Sequence, residues 1–231
     1  MTLPDIGWSA YAVVASLTLA ACSHPSQGAA PAPPQPAVRV TSDSAAIARA
    51  RADSLRRPYT EADVYFMSGM IHHHAQAIVM AGWAPSHGAS HQVQTLSARI
   101  INAQQDEIVT MQRWLRDRQQ PVPEATATGM MMNMGGMEHE MLMPGMLSDA
   151  QMHQLDQARG TEFDRLFLTF MIQHHLGAIT MVDQLFGSYG AGQDETVFKF
   201  ASDVNVDQST EIVRMQQMLA ALPPAPAQRP S

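Results

Sequence analysis

The chain repeats itself: Asp63–Met80 returns, without a gap, as Asp164–Met181. The copies agree at Asp63/Asp164, Phe66/Phe167, Met70/Met171, Ile71/Ile172, His73/His174, His74/His175, Ala77/Ala178, Ile78/Ile179 and Met80/Met181. Such a duplication limits the fold more than composition does, because each copy must form the same element and bury the same face.

Each copy opens on a capping-box pattern, Thr60-Glu-Ala-Asp63 and Thr161-Glu-Phe-Asp164, which predicts helix starts at equivalent offsets. The helices should run to about Gly82 and Phe186 and turn at Pro85–Gly88 and Gly187–Gly190. Second helices follow, roughly Ser90–Arg118 and Glu195–Leu222, and share Gln104/Gln208, Glu107/Glu211, Ile108/Ile212 and Met111/Met215. Pro121 and Pro223 close the two units. Two hairpins with one apolar stripe each bury those stripes against one another, which predicts an all-α, antiparallel four-helix bundle with approximate internal two-fold symmetry. The intervening Pro121–Leu147 is rich in Gly and Met and reads as a loop. Ser148-Asp-Ala-Gln151 then starts a short helix that Gly160 interrupts, and no strand pattern is evident.

The bundle domain therefore spans residues 58–222, with a tail at 223–231. Upstream, Ser9–Ala21 is a small, apolar run ending Leu19-Ala20-Ala21-Cys22. It resembles a bacterial lipoprotein signal over residues 1–22, with Cys22 as the lipid-bearing residue, and is too short to span a bilayer as a mature helix. It departs from that pattern in carrying Asp5 and no Lys or Arg before the run. The alternative is a free cysteine buried in a short core helix. Residues 23–57 form a linker: a Pro, Ala, Gln and Ser spacer, then a short surface helix over Thr41–Arg57 that Pro58 ends. These features predict a periplasmic or cell-envelope protein anchored to the membrane through Cys22. A single cysteine excludes an intrachain disulfide. A net charge of -7 without a basic cluster argues against nucleic acid as a partner.

On a wheel of about 100° per residue, His73, His74, Phe66 and Asp63 fall within about 60° of Met70, so both histidines face the bundle interior. His72 falls on the opposite side, where the second copy has Gln173, and reads as solvated. On the partner helix Glu107 shares a stripe with Gln104, Ile108 and Met111, and Glu211 repeats it. Carboxylates are rarely buried unless paired, and the histidines are fitting partners. A buried polar group left unpaired costs roughly 1–3 kcal/mol, against a typical stability of about 5–15 kcal/mol. These groups must therefore be satisfied by a metal or by a hydrogen-bonded network of their own. Imidazole and thioether together suit copper, Cu(I) above all and Cu(II) as the second option; zinc rarely takes thioether, and its usual Cys and His spacings are absent.

The segment Gly129–Met146 adds Met130, Met131, Met132, Met134, Met137, Met141, Met143 and Met146, with His139 among them. Methionine often fills core gaps. So many thioethers without helical periodicity also suit a soft-metal trap, or an oxidation buffer. His24, His87, His91 and His153 are not expected to be ligands. Asp63 and Asp164 read as capping residues, or as second contacts to the histidines.

The doubled Phe-x-x-x-Met-Ile-x-His-His-x-x-Ala-Ile-x-Met, the Gln-x-x-Glu-Ile-x-x-Met after each copy, and Glu162-Phe-Asp-Arg-Leu-Phe-Leu168 resemble the domain of unknown function 305 family over roughly Pro58–Leu222. The resemblance implies a ferritin-like bundle, an extracytoplasmic location and copper binding through His and Met. It points to Met70, His73, His74 and Met80, with Met171, His174, His175 and Met181. With the partner-helix residues Glu107, Met111, Glu211 and Met215 and the Met-rich loop, these are the candidate ligands.

The leading expectation is a non-enzymatic protein that sequesters or transfers copper, in contact with other copper-handling proteins of the envelope. A ferritin-like di-metal oxidase is the enzymatic alternative. Such sites use Glu-x-x-His on two helices, whereas here Glu-x-x-x-Met stands on the second helices and histidine on the first. A metal-free bundle with a His–Glu network is the third reading.

Overall fold

The computed structural model describes residues 47–48, 51–52 and 59–224. The expected signal segment with Cys22, the spacer and most of the Thr41–Arg57 helix lie outside the described residues, as does the tail beyond Pro224.

The described chain is predominantly helical. Helix α1 spans Glu61–Gly82 and α2 spans His91–Asp117. A small antiparallel pair follows, β1 Met130–Met134 and β2 Met137–Met141. Helix α3 covers Asp149–Gln157, α4 Gly160–Gly187 and α5 Glu195–Ala221. The closest packing joins α1 to α2 and α4 to α5, and α1 also packs against α4. No helix among the described residues is long and apolar enough to cross a membrane.

The helix starts follow local chemistry. Thr60 caps α1, and Asp63 reaches back to the Thr60 amide in a complete capping box. Ser90 and Asp194 cap α2 and α5, and Ser148 with Gln151 forms the box that starts α3. The second expected box, at Thr161, does not form. Helix α4 already begins at Gly160, Arg159 precedes it without a side-chain cap, and Asp164 is used elsewhere. Its carboxylate accepts from the Ser90 amide at 3.1 Å, while Asp63 accepts from the Gly192 amide at 2.7 Å. Each aspartate thus ties its own helix to the turn of the other hairpin.

The strands replace the expected structureless loop. Gly135 and Gly136 have φ of 68° and 92°, the combination a two-residue type I′ turn needs and glycine adopts without a steric penalty. The register pairs Met130 with Met141, Met132 with His139 and Met134 with Met137.

The apolar core is divided in two. One block takes Phe66, Met67, Met70 and Ile71 from α1, residues 108–115 of α2, 178–185 of α4 and 197–204 of α5. The other takes Ala77, Met80 and Ala81 from α1, residues 93–100 of α2, 163–171 of α4, and Ile212 and Met215 from α5. Every long helix passes from one block to the other. At each crossing the sequence is polar: His72–Gln76, Gln104, Gln173–Gly177 and Gln208.

Candidate metal centre

The polar layer between the blocks is built from the duplicated His-His. His73, His74, His174 and His175 are all buried. The His73 and His174 rings meet across the α1–α4 contact, centroids 3.7 Å apart and tilted by 37°. Within each pair the rings are 6.3 Å apart at 55°, so the two copies present equivalent geometry.

The outer histidines are held by carboxylates. His74 Nε2 lies 2.7 Å from Glu107 Oε2, and His175 Nε2 lies 2.7 Å from Glu211 Oε2. An ionised carboxylate only accepts, so each Nε2 carries the proton, and in the neutral ring the lone pair is left on Nδ1. Neither Nδ1 has a hydrogen-bond partner. A carboxylate behind the distal nitrogen is how many metal-binding histidines are oriented.

The inner pair is less symmetric. His73 Nε2 donates to the Pro144 carbonyl at 3.0 Å, again leaving an unpartnered Nδ1. His174 has no such contact: neither of its ring nitrogens has a partner. Burial pushes the pKa of both rings well below the usual histidine value, with the neighbouring imidazoles adding to the effect; at His73 the Pro144 carbonyl opposes it. The inner rings are therefore neutral at physiological pH.

Among the described residues, five buried ring nitrogens of this layer thus lack partners. Gln104 Oε1 and Gln208 Oε1, buried on α2 and α5, are unpartnered as well. Both glutamines recur at matching positions in the sequence and share the stripe of Glu107 and Glu211, which places them at the layer without naming a role for them.

The thioethers flank this layer in a swapped arrangement. Met70 and Met111 of the first hairpin share a block with Met181 of the second. Met171 and Met215 share the other block with Met80 of the first. All six are buried. Among the described residues, no three His, Cys, Asp or Glu side chains form a preassembled metal cage. The donors on hand are imidazoles and thioethers, with the Gln104 and Gln208 side-chain oxygens beside them, a set that fits a soft or borderline ion. A hard ion would need more carboxylates than the Glu107 and Glu211 that reach the outer rings.

A strap from Met143 to Leu147 lies over the layer and was not foreseen. Its Leu147 backbone is gripped by Gln76, which accepts from the amide at 2.7 Å and donates to the carbonyl at 3.0 Å. Its Pro144 and Gly145 press so closely on Gly177 that a Cβ there would fall 1.9 Å from the Pro144 oxygen. Gln173 donates to the Gly145 carbonyl at 3.3 Å.

Two further histidines are buried, and for His72 this corrects the expected solvent exposure. His72 is buried, its Nδ1 3.2 Å from the Thr126 hydroxyl, because the segment leading to β1 covers that side of α1. His87 is buried between Ser86 and Asp156 and stacks on Trp83. The Met-rich segment divides: Met143 and Met146 enter the core, Met130 packs against it, and Met131, Met137, His139 and Met141 stay exposed. Met132 and Met134 hold the β1 positions opposite His139 and Met137.

Glu107 and Glu211, about one-fifth to one-quarter exposed, carry the layer to the surface between α2 and α5. There Asp106, Glu107, Asp203 and Asp207 line an acidic groove. Partial burial raises the Asp207 pKa, and the nearby Glu107, Asp203 and Glu211 carboxylates raise it further.

Comparison with curated proteins finds no match. Solved structures do match. A DUF305 fragment from Deinococcus radiodurans is 27% identical with a TM-score of 0.59, covering 71% of this chain and 99% of that one. A DUF305 protein from Streptomyces coelicolor, described there as secreted, is 26% identical with a TM-score of 0.57, covering 69% and 92%. CopM in its Cu(II)-bound form is 29% identical with a TM-score of 0.53, covering 68% and 95%, and a Cu(I)-bound form of CopM also matches. The profile of the domain of unknown function DUF305 matches residues 63–219. The doubled His-His motif, the Gln-x-x-Glu helices and that match together make the chain a member of the DUF305 family.

Proposed function

We propose that this is an extracytoplasmic copper-binding protein that sequesters copper or passes it on, using a ferritin-like four-helix bundle as scaffold. The observation that carries this reading is the layer of four buried histidines with five unpartnered ring nitrogens, set between two methionine-bearing core blocks. His73, His74 and His175 would bind through Nδ1 and His174 through either nitrogen, with Met70, Met111 and Met181 on one side and Met171, Met215 and Met80 on the other. Glu107 and Glu211 orient the outer rings and neutralise bound charge. The exposed methionines and His139 of the β hairpin are an auxiliary soft-metal face. CopM, with its Cu(I)- and Cu(II)-bound forms, supports copper as the ion, and the Streptomyces protein supports export from the cytoplasm. Anchoring through a lipid on Cys22 is the matching proposal for location, and other envelope copper proteins are the expected exchange partners.

A metal-free His–Glu network is disfavoured by the same nitrogens. A finished network would use them, since each buried group left unpaired costs roughly 1–3 kcal/mol. An oxidase is disfavoured by the shortage of carboxylates. No catalytic step is assigned.

The test is copper content and anaerobic Cu(I) titration of the full chain beside the double variant His73→Gln/His174→Gln, with helicity followed by circular dichroism. Tight copper in the wild type, lost from a variant that remains folded, is the expected result. Equal copper in both would remove the inner histidines from the site, and none in either would end the copper reading.

A further inference from the structure

The two core blocks draw on equivalent positions of the repeats, yet among the described residues the methionines of the hairpin and strap that reach the core join the first. Met130 packs against the first block, and Met143 and Met146 belong to it. The hydroxyl of Tyr65 meets Met141 Sδ at 3.9 Å. Tyr65 also borders a cleft of about 150 Å³ that includes Ala62, Phe66 and Met181. Deeper in, Met143 Sδ sits where a Cβ on Gly69 would be, 2.7 Å from that point, and Met181 Cε is 3.4 Å from it. The two methionines therefore meet over a helix surface kept bare by glycine. Pro144, next to Met143, holds His73 through its carbonyl.

The second repeat offers no such seat. Its residue at the Gly69 position is Phe170, which is itself buried, and the strap's methionines do not belong to its block.

We propose that Met137, Met141, Met143 and Met181 form a one-sided thioether relay that takes a soft monovalent cation from the exposed hairpin to the His73–His174 pair. The inference rests on the copper reading and adds a direction to it. Each step is ligand exchange at constant oxidation state: one sulfur bonds as another leaves, and no electron moves. Monovalent copper suits such exchange because thioether holds it without the charge that would fix it in place. Met141 and Met137 are exposed, whereas Met143 and Met181 are buried. Bulk water is thus left behind along the way.

The experiment is stopped-flow transfer of Cu(I) from the chromogenic chelator bicinchoninate into the full chain, read with equilibrium occupancy. Four changes are compared with wild type: Met143→Leu, Gly69→Ala, Met152→Leu and the pair Asp203→Asn/Asp207→Asn. Met143→Leu nearly conserves volume and should fold. Gly69→Ala favours the helix while driving the Met143 sulfur from its seat. Both should slow loading about tenfold, and Met152→Leu, beside the second block, should load at the wild-type rate. Unchanged loading in Met143→Leu and Gly69→Ala, with copper still bound by the wild type, overturns the relay alone. So does slowing by Asp203→Asn/Asp207→Asn in its place, which would put the way in at the acidic groove. A wild type that takes no Cu(I) overturns the relay together with the copper reading.

Discussion

His73 and His174 occupy the same position in two copies of one motif, yet the chain surrounds them differently. His73 gives its Nε2 proton to the Pro144 carbonyl, while His174 has no partner for either nitrogen. The strap that causes this difference is held by opposite means on the two helices. On α1, Gln76 binds the Leu147 backbone with two hydrogen bonds. At the matching position on α4, Gly177 makes room by having no side chain. Duplication supplied a symmetric layer of imidazoles, and the segment inserted between the copies made it one-sided. A site with one fixed ring and one free ring can admit a ligand by moving the free one, whereas two fixed rings would hold it shut.

Acid should break the comparison most strongly. The inner rings have folded-state pKa values well below the ordinary histidine value, so below pH of about 6.5 the unfolded chain binds protons that the folded chain refuses. Stability is intact above that pH and is lost as pH falls from about 6.5 toward the lowered folded values. Each refused proton changes the folding equilibrium about tenfold per pH unit, so two change it about a hundredfold. Urea midpoints of the metal-free protein from pH 7.5 to 5 should fall steeply, and His73→Gln/His174→Gln should flatten the curve. Because the Pro144 contact opposes the shift only at His73, His174→Gln should remove at least as much of the slope as His73→Gln. A slope unchanged in the double variant would assign the acid sensitivity to other groups.

The strap gives the next largest effect. Gly177→Ala puts a Cβ against the Pro144 carbonyl, backbone against backbone, and overpacking of this kind costs about 1–3 kcal/mol or more. It should outweigh the gain of up to about 1 kcal/mol that alanine brings to a helix. Gln76→Ala removes two bonds from buried backbone groups and should cost a comparable 1–3 kcal/mol, roughly. Gly187→Ala, with open space around its Cβ, is the control and should stay within about 0.5 kcal/mol. Denaturant unfolding measures all three. A neutral Gly177→Ala would mean the strap gives way easily and the two helices do not hold it as tightly as the contacts indicate.

Much of this was legible beforehand, and what was not has physical reasons. Helical period, capping residues and gapless duplication located the long helices and put His73, His74, His174 and His175 on inward stripes. Glu107 and Glu211 could be matched to histidines because an inward carboxylate demands a partner. The strap was invisible because its grip on Gln76 and Gly177 joins residues about seventy and about thirty positions apart, and no local pattern encodes that. His72 was misplaced for a related reason: a helical wheel does not know that Thr126 lies across its polar face. The hairpin had a signal, Gly135-Gly136 between two methionine runs, but methionine is a weak strand former and the alternation was masked by its own uniformity. Asp164 shares a motif with Asp63 and still does different work, since α4 starts earlier and frees its carboxylate for Ser90.

The smallest predicted effect tests where the symmetry survives. The His74–Glu107 and His175–Glu211 bonds are both 2.7 Å, and both carboxylates are similarly exposed. The strap carbonyl hydrogen-bonds the inner ring His73, whereas both of these pairs lie at the outer rings. Glu107→Gln and Glu211→Gln should therefore behave alike, each losing about 0.5–1.5 kcal/mol of stability as a charge-assisted bond becomes a neutral one. Each should also weaken copper by about tenfold, the lower end of what loss of an orienting partner costs a metal site. Parallel urea unfolding and Cu(I) competition for the two variants give both numbers. If Glu107→Gln cost markedly more copper than Glu211→Gln, the influence of the strap would extend past the inner rings to the outer shell on the α1 side. The layer would then be two different sites, and equal losses would leave it as one site approached from one side.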